Sequence, residues 1–372
     1  MEAIYLGLGI VLLALVYWDL FESIVVPRPT PGWFRIGRYV IRLSWRAVRA
    51  LGRGPDGRRR ETLLGLYAPA VTAVLLLAWL SSAILGYGLI LFGLRDQLQP
   101  MPQDFGTALF SSATTVLTLG GDIVATGPAA RLAVVLAGAT GLGVVALVVT
   151  FLFSLYGSYQ RREVQVVTLQ AAAGAPPSAV ALLETYARLG LIDRLPGLFI
   201  EWEGWAAEVL DSHVAYPLLG FFRSSHDNLS WISSLGTVLD AASLVLTTIE
   251  GVRRGEAELF RRVGSHLAED ISNLGYRAGS PGPKGPATTE GTDANLDRAA
   301  FDAAWKRLAE AGYQLASADR AWPEFEATRA EYAARLEGLA TYWATPSTSW
   351  LGTHEALRSP AHPESPVEIS GE

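Results

Sequence analysis

Three long apolar stretches in the first 160 residues constrain this chain more than any other feature. Ile4–Val26 is one apolar run, long enough for a bilayer crossing, which takes about 20 residues. Thr62–Leu94 and Arg131–Tyr156 are two more. Between the last two lies Gln103–Leu119, which is apolar but too short to span. Half of the 372 residues are apolar. A soluble domain could match that fraction, but not this clustering. No basic stretch precedes the first run, and Pro and Arg follow it where a leader would have small residues. It reads as a retained span. There is no Cys, which excludes disulfides, zinc–thiolate sites and thiol catalysis.

The net charge of −6 hides an asymmetry that sets topology. Asp19 and Glu22 are the only charges inside the first run, and both fall near its end. They are expected at the interface, paired with Arg28 or a later Arg. Pro27, Pro29, Pro31 and Gly32 end that helix. Arg35, Arg38, Arg42, Arg46, Arg49 and Arg53 then recur at steps of three and four, which places them on one helix face. Ile36, Val40, Ile41, Val48 and Leu51 take the other side, with Trp33 and Trp45 as expected interface anchors. The pattern predicts a basic amphipathic helix on the inner membrane surface, in contact with lipid. A voltage sensor also spaces Arg regularly, but six in about nineteen residues make crossing too costly. A nucleic-acid stripe is out of place between two spans. Residues 27–61 should therefore face the cytoplasm and the N-terminus the outside. Arg161 and Arg162 directly after the third span agree, and place everything beyond them in the cytoplasm.

The segment between the second and third spans carries the chemistry. Asp104 is suited to cap a helix over the next dozen residues, Phe105-Gly-Thr-Ala-Leu-Phe-Ser-Ser-Ala-Thr-Thr-Val116. Leu117, Thr118, Leu119, Gly120, Gly121 and Asp122 follow. A half-length helix followed by a glycine loop is tolerated at membrane depth only where it is buried in protein or lines water. Glycines let backbone carbonyls turn toward an axis, where they can replace a cation's hydration shell. The plain alternative is an extracellular turn between two packed helices.

Residues 62–160 resemble the two-transmembrane, pore-loop potassium channel family. That family orders an outer helix, a pore helix, a Thr-Val-Gly-Tyr-Gly-Asp filter and an inner helix. Ala113-Thr114-Thr115 fall in the pore helix, Thr118 matches the filter Thr, and Gly121-Asp122 match the closing Gly-Asp. Arg131 and the Leu-Ala-Val-Val-Leu-Ala-Gly run after it also fit, and Gly141 falls at the family's gating glycine, with Gly138 beside it. The resemblance implies a homotetramer passing potassium through backbone carbonyls of Thr118, Leu119, Gly120 and Gly121, with Asp122 concentrating cations outside. The filter departs from the pattern: no aromatic stands between its glycines. Sodium passage, or a pore fold used as a non-conducting scaffold or sensor, are the alternatives.

The rest reads as a helical cytoplasmic domain over 161–279, a Pro/Gly/Thr-rich linker over 280–294, a helical segment over 295–344 and a disordered tail over 345–372. A helix is expected after Ser178, with the break before it at Gly174-Ala-Pro-Pro177. The apolar run Leu229–Ile249 is expected as a core helix, capped by His226-Asp227-Asn228, since it contains Asp240. Pro323 should mark a further break. No dinucleotide fingerprint is present. His213, Glu208 and His226 are weak metal candidates, because their spacing matches no metal motif and hydrogen bonding is the competing role. The chain is thus expected to be an all-α membrane protein, a channel and no enzyme, needing no cofactor beyond permeant ions and binding no nucleic acid. Nothing in the sequence names a cytoplasmic ligand.

Overall fold

The computed structural model describes residues 1–26, 36–51, 57–224, 229–277, 296–345 and 349–352. Arg35, Arg53, Trp33, the 27–32 break, His226, the 280–294 linker and residues 353–372 lie outside them. Among the described residues the regular structure is helical, apart from two strands of two residues each and one isolated bridge. The chain divides into two units, Met1–Tyr159 with Val214–Phe222, and Gln160–His213 with Arg223–Glu372.

In the first unit α1 spans Glu2–Leu20, α2 Ile36–Leu51, α3 Gly57–Gly93 and α4 Phe105–Val116. The helix α5 runs from Pro128 to Ala173. Among the described residues three helices are long and apolar enough to cross a membrane: α1 with the turn after it, α3 and α5. At 1.5 Å per residue α5 is roughly 70 Å long, more than twice the hydrocarbon thickness.

In lipid, helices associate through close packing of small residues. That is how α1 meets α3. A Cβ on Gly9 would sit 2.6 Å from the Gly86 carbonyl oxygen, and one on Gly93 2.9 Å from that of Glu2. Asp19 is fully buried and accepts a 2.6 Å hydrogen bond from the Trp79 indole of α3. It stands next to the last residue of α1, and the Arg28 expected beside it is outside the described residues. The helix α2 packs on α3 through Tyr67, whose hydroxyl donates to the Ile41 carbonyl at 2.9 Å. Trp45 is corrected by the structure: it is buried, with ring centroids 4.8 Å from Tyr67 and 5.0 Å from Phe221. Burial against two aromatic rings outweighs an interface position for so large an apolar surface. Arg46 is exposed on the same helix, and Arg42 and Arg49 are partly so.

In the second unit the end of α5 is followed by α6 Ala179–Arg188, α7 Leu195–Ala215, α8 Trp231–Thr247, α9 Gly255–Arg277, α10 Arg298–Glu310, α11 Ala318–Ala330 and α12 Ala333–Trp343. Ser178 caps α6 as expected, accepting from the Ala181 N–H. The helix α8 is the centre of this unit and nearly all of it is buried. Ser230 caps it, its hydroxyl accepting from the Ile232 N–H at 3.2 Å; the 226–228 triplet lies outside the described residues. Asp240 is fully buried yet satisfied. It accepts from Arg329 Nε at 3.1 Å and from the Tyr332 hydroxyl at 2.6 Å. Burial and that carboxylate push the Tyr332 phenol well above its usual range.

Two further expectations are overturned. Pro323 lies inside α11, which continues to Ala330. It stands in the second turn, where one missing N–H costs one hydrogen bond and leaves the rest of the ladder intact. The tail is not free from residue 345 onward. Trp350 and Leu351 are buried, and their carbonyls accept from the Ala179 and Val180 N–H groups at 2.8 and 3.3 Å. Those are first-turn donors of α6 that no helical carbonyl can serve. The Trp350 ring fills the space a side chain would need at Gly236, where a Cβ would lie 2.4 Å from it.

Candidate pore site

The short helix α4 begins where the sequence places it. Asp104 accepts from the Thr107 N–H at 2.9 Å and the Thr107 hydroxyl at 3.0 Å, and these bonds hold its carboxyl below the usual range. Inside the unit α4 lies against α3. Ser112 donates to the Ile84 carbonyl at 2.7 Å, and Leu109 approaches Gly88 so closely that a Cβ there would stand 3.0 Å from it.

The end of α4 is a Schellman motif. The Thr118 N–H bonds the Thr115 carbonyl at 3.0 Å, and the Leu119 N–H bonds the Thr114 carbonyl at 2.8 Å. The residue in the left-handed position is Thr118, with φ +58°. Glycine or asparagine is usual there, and a β-branched residue is a genuine outlier. Gly120 follows at φ +80°, where glycine is the natural choice.

From Thr118 to Asp122 the backbone is exposed, and Leu119 is 73% exposed. Among the described residues no N–H or side-chain donor serves the carbonyls of Thr118, Leu119, Gly120 or Gly121. Thr114 supports this loop from behind. Its hydroxyl donates to Ser111 at 3.0 Å, and a Cβ on Gly121 would lie 2.9 Å from it. Thr114, which the sequence places in the short helix, thus stands directly behind Gly121.

The chain leaving the loop is pinned on its other side. The strand β1, Leu98–Gln99, pairs antiparallel with β2, Val124–Ala125. The Gln97 carbonyl accepts from Thr126 N–H at 2.9 Å, and its side chain accepts from the Ala130 N–H at 3.3 Å. Arg131 donates to the Ala125 carbonyl at 3.3 Å. Sequence reasoning missed Gln97, which no motif marks.

Gly141 of α5 meets the last residue of α4. A Cβ there would stand 1.8 Å from the Val116 carbonyl oxygen. At Gly138 the nearest such atom, the Thr115 oxygen, is 4.0 Å away. Gly141 is therefore a seat for the end of α4.

The second unit holds the metal candidates. Glu208 pairs with Arg161. His213 is buried, with Nδ1 2.8 Å from the Val209 carbonyl and Nε2 3.3 Å from Arg162 Nη1. Burial and that guanidinium push its pKa down to about 3, so the ring is neutral. Arg162 is itself buried, bonds Glu163 at 2.9 Å, and stands over the Trp231 ring at 5.9 Å. Both ring nitrogens of His213 are thus engaged. Among the described residues no three His, Asp or Glu side chains gather as a metal site.

Residues 74–157 match the family model Ion_trans_2, described as an ion channel. The match covers α3 from its middle, α4, the loop, and α5 as far as Gly157. No curated protein and no solved structure matches the chain. The matched segment and three crossing-length helices make this a membrane protein with an ion channel module.

Proposed function

We propose that the chain is a potassium-conducting cation channel and that Thr118–Gly121 form its selectivity filter. One observation carries this reading: four consecutive carbonyls with no donor among the described residues, at the end of a half-length helix between two spans. Carbonyl oxygens at that place can substitute for the water around a monovalent cation. The Thr118 hydroxyl adds the innermost ligand, and exposed Asp122 gathers cations at the outer mouth. One chain supplies one such loop, so a closed ring needs several copies, and the reading requires a homotetramer. The exposed apolar residues Phe110, Leu132 and Val135 are available to neighbouring copies or lipid.

The N-terminus lies outside and the second unit in the cytoplasm, as the Arg distribution directs. Arg42, Arg46 and Arg49 of α2 lie at the inner lipid surface. Gly138 and Gly141 let α5 bend during gating, driven from the cytoplasmic helical domain. Bending at Gly141 would also move the seat of the pore helix, which ties the gate to the filter.

A second reading has its own support. No aromatic holds the loop, and Thr118 is in a strained conformation. A looser ring would pass sodium as well. The test is potassium and sodium flux from liposomes holding the purified protein, with Gly120→Ala and Gly121→Ala beside it. Potassium flux well above sodium, lost in both variants with assembly intact, supports a selective filter. Equal fluxes establish the non-selective pore, and no flux in any condition points to a scaffold.

A further inference from the structure

The first span carries no part of the pore loop, yet its Tyr17 reaches the inner helix. Tyr17 of α1, Tyr87 of α3 and Thr140 of α5 bring three hydroxyls together. The oxygens stand 2.8 Å apart for Tyr17–Tyr87, 2.5 Å for Tyr17–Thr140 and 2.8 Å for Tyr87–Thr140. The Thr140 hydroxyl also lies 2.7 Å from the Leu136 carbonyl of its own helix. Three hydroxyls bring three protons to these four contacts, so three of the four are hydrogen bonds in any one arrangement and every proton has an acceptor. In an apolar surrounding such a cluster is worth forming and costly to disperse.

Its position gives it meaning. Thr140 immediately precedes Gly141, and Gly141 seats the Val116 carbonyl. Val116 ends α4, and Leu117 and Thr118 follow directly. A sideways shift of α5 at Thr140 is therefore a shift of the surface on which the loop's own helix rests. The rest of α1 is held fast to α3 by the Gly9–Gly86 approach and the Asp19–Trp79 bond, so Tyr17 projects from a fixed support.

We propose that Tyr17 is a positioning residue through which the N-terminal span holds α5 at Thr140 and so sets the pore helix and its loop. The inference rests on the channel reading for its effect on flux, but not for its structural part. Tyr17→Phe is a clean perturbation. It leaves two protons for two remaining contacts, Tyr87 to Thr140 and Thr140 to Leu136, and orphans no group.

The experiment compares the full chain, reconstituted in liposomes, as wild type, Tyr17→Phe, Thr140→Val, Thr140→Ser and Tyr5→Phe. Tyr5 is on the same span, with its ring on Phe92, and controls for loss of a hydroxyl elsewhere. Two quantities are read: potassium flux, and backbone hydrogen exchange at Leu117–Leu119. Losing one hydrogen bond shifts a two-state equilibrium by about fivefold. Tyr17→Phe and Thr140→Val should each change flux by about that factor and raise exchange at Leu117–Leu119, whereas Thr140→Ser and Tyr5→Phe behave as wild type. Wild-type flux and exchange in Tyr17→Phe would overturn the inference. If the wild type carries no ion, the channel reading fails, and the exchange alone decides: raised in Tyr17→Phe, the link stands; unchanged, it falls.

Discussion

Replacing Gly141 by Ala sets two opposing effects against each other, and the structure says which wins. In a helix interior Ala is more favourable than Gly by about 1 kcal/mol, so a glycine serving only flexibility should yield a more stable variant. Here the new Cβ would stand 1.8 Å from the Val116 oxygen, 2.8 Å from its carbon and 3.3 Å from its Cα. A carbon and a carbonyl oxygen rest no closer than about 3.3 Å, so α5 and the end of α4 must separate by about 1.5 Å. All three atoms are backbone and no rotamer change can relieve them. Overpacking of this kind costs about 1–3 kcal/mol and commonly shifts the backbone. Gly141→Ala should therefore be less stable despite its better propensity, and its flux should fall because the displaced residue adjoins the loop. Gly138→Ala, whose Cβ would meet nothing closer than 4.0 Å, should be neutral or slightly stabilised. The assay is thermal unfolding in detergent beside liposome flux, for both variants. A Gly141→Ala protein that melts at or above the wild type, with wild-type flux, would refute the seat.

Other positions give sharp expectations. Thr118→Gly removes a left-handed β-branched residue, which should raise stability by about 1 kcal/mol, while flux drops with loss of the hydroxyl; thermal melts and flux read the two apart. Asp240→Asn leaves Arg329 buried without its counter-charge and should cost about 3 kcal/mol or more, seen as a lowered denaturation midpoint of the second unit. Trp350→Ala empties the space against Gly236 and should cost about 3–5 kcal/mol, with hydrogen exchange rising first at Ala179 and Val180. Acid should also destabilise the second unit in two windows. The folded His213 titrates near 3 against 6.5 unfolded, so the unfolded chain binds the proton first, and stability falls as pH drops from about 6.5 toward 3. Bonds from Arg261, then Arg262, push Glu258 down to about 2 against 4.5 unfolded, so its contribution is present above 4.5 and lost below it. Circular dichroism melts against pH, with His213→Gln and Glu258→Gln, separate the windows.

The spans, the half-length helix and its Asp104 cap were legible because each rests on a local rule: a long apolar run, a carboxylate before a helix, glycines after it. Ser178 was legible for the same reason, since it follows Pro-Pro and opens an apolar run. What escaped depends on partners far along the chain. Trp45 reads as an interface residue until Tyr67 and Phe221 are beside it. Trp350 sits in a Pro/Ser/Thr-rich stretch, which composition assigns to disorder. The niche at Gly236 and the Ala179 N–H, both more than a hundred residues earlier, fix it.

Gly141 shows how one residue can answer to two rules at once. The family pattern picks it out as a place to bend, and helix propensity agrees, because glycine weakens a helix. Neither consideration contains the Val116 carbonyl, which reaches α5 from another element and could not be inferred from spacing. The same limit applies to Thr118. Its letter matches a filter threonine, but its left-handed backbone follows from closing α4 with a Schellman motif. The Thr114 hydroxyl behind Gly121 then stands as the loop's nearest support on the side of its own helix. A loop backed by one hydroxyl and one helix seat, with no aromatic behind it, depends more on α5 than an aromatic-packed loop would. Changes at Thr140 or Gly141 should therefore reach ion selectivity as well as opening, and the potassium-to-sodium flux ratio of Thr140→Val is where that dependence would be read.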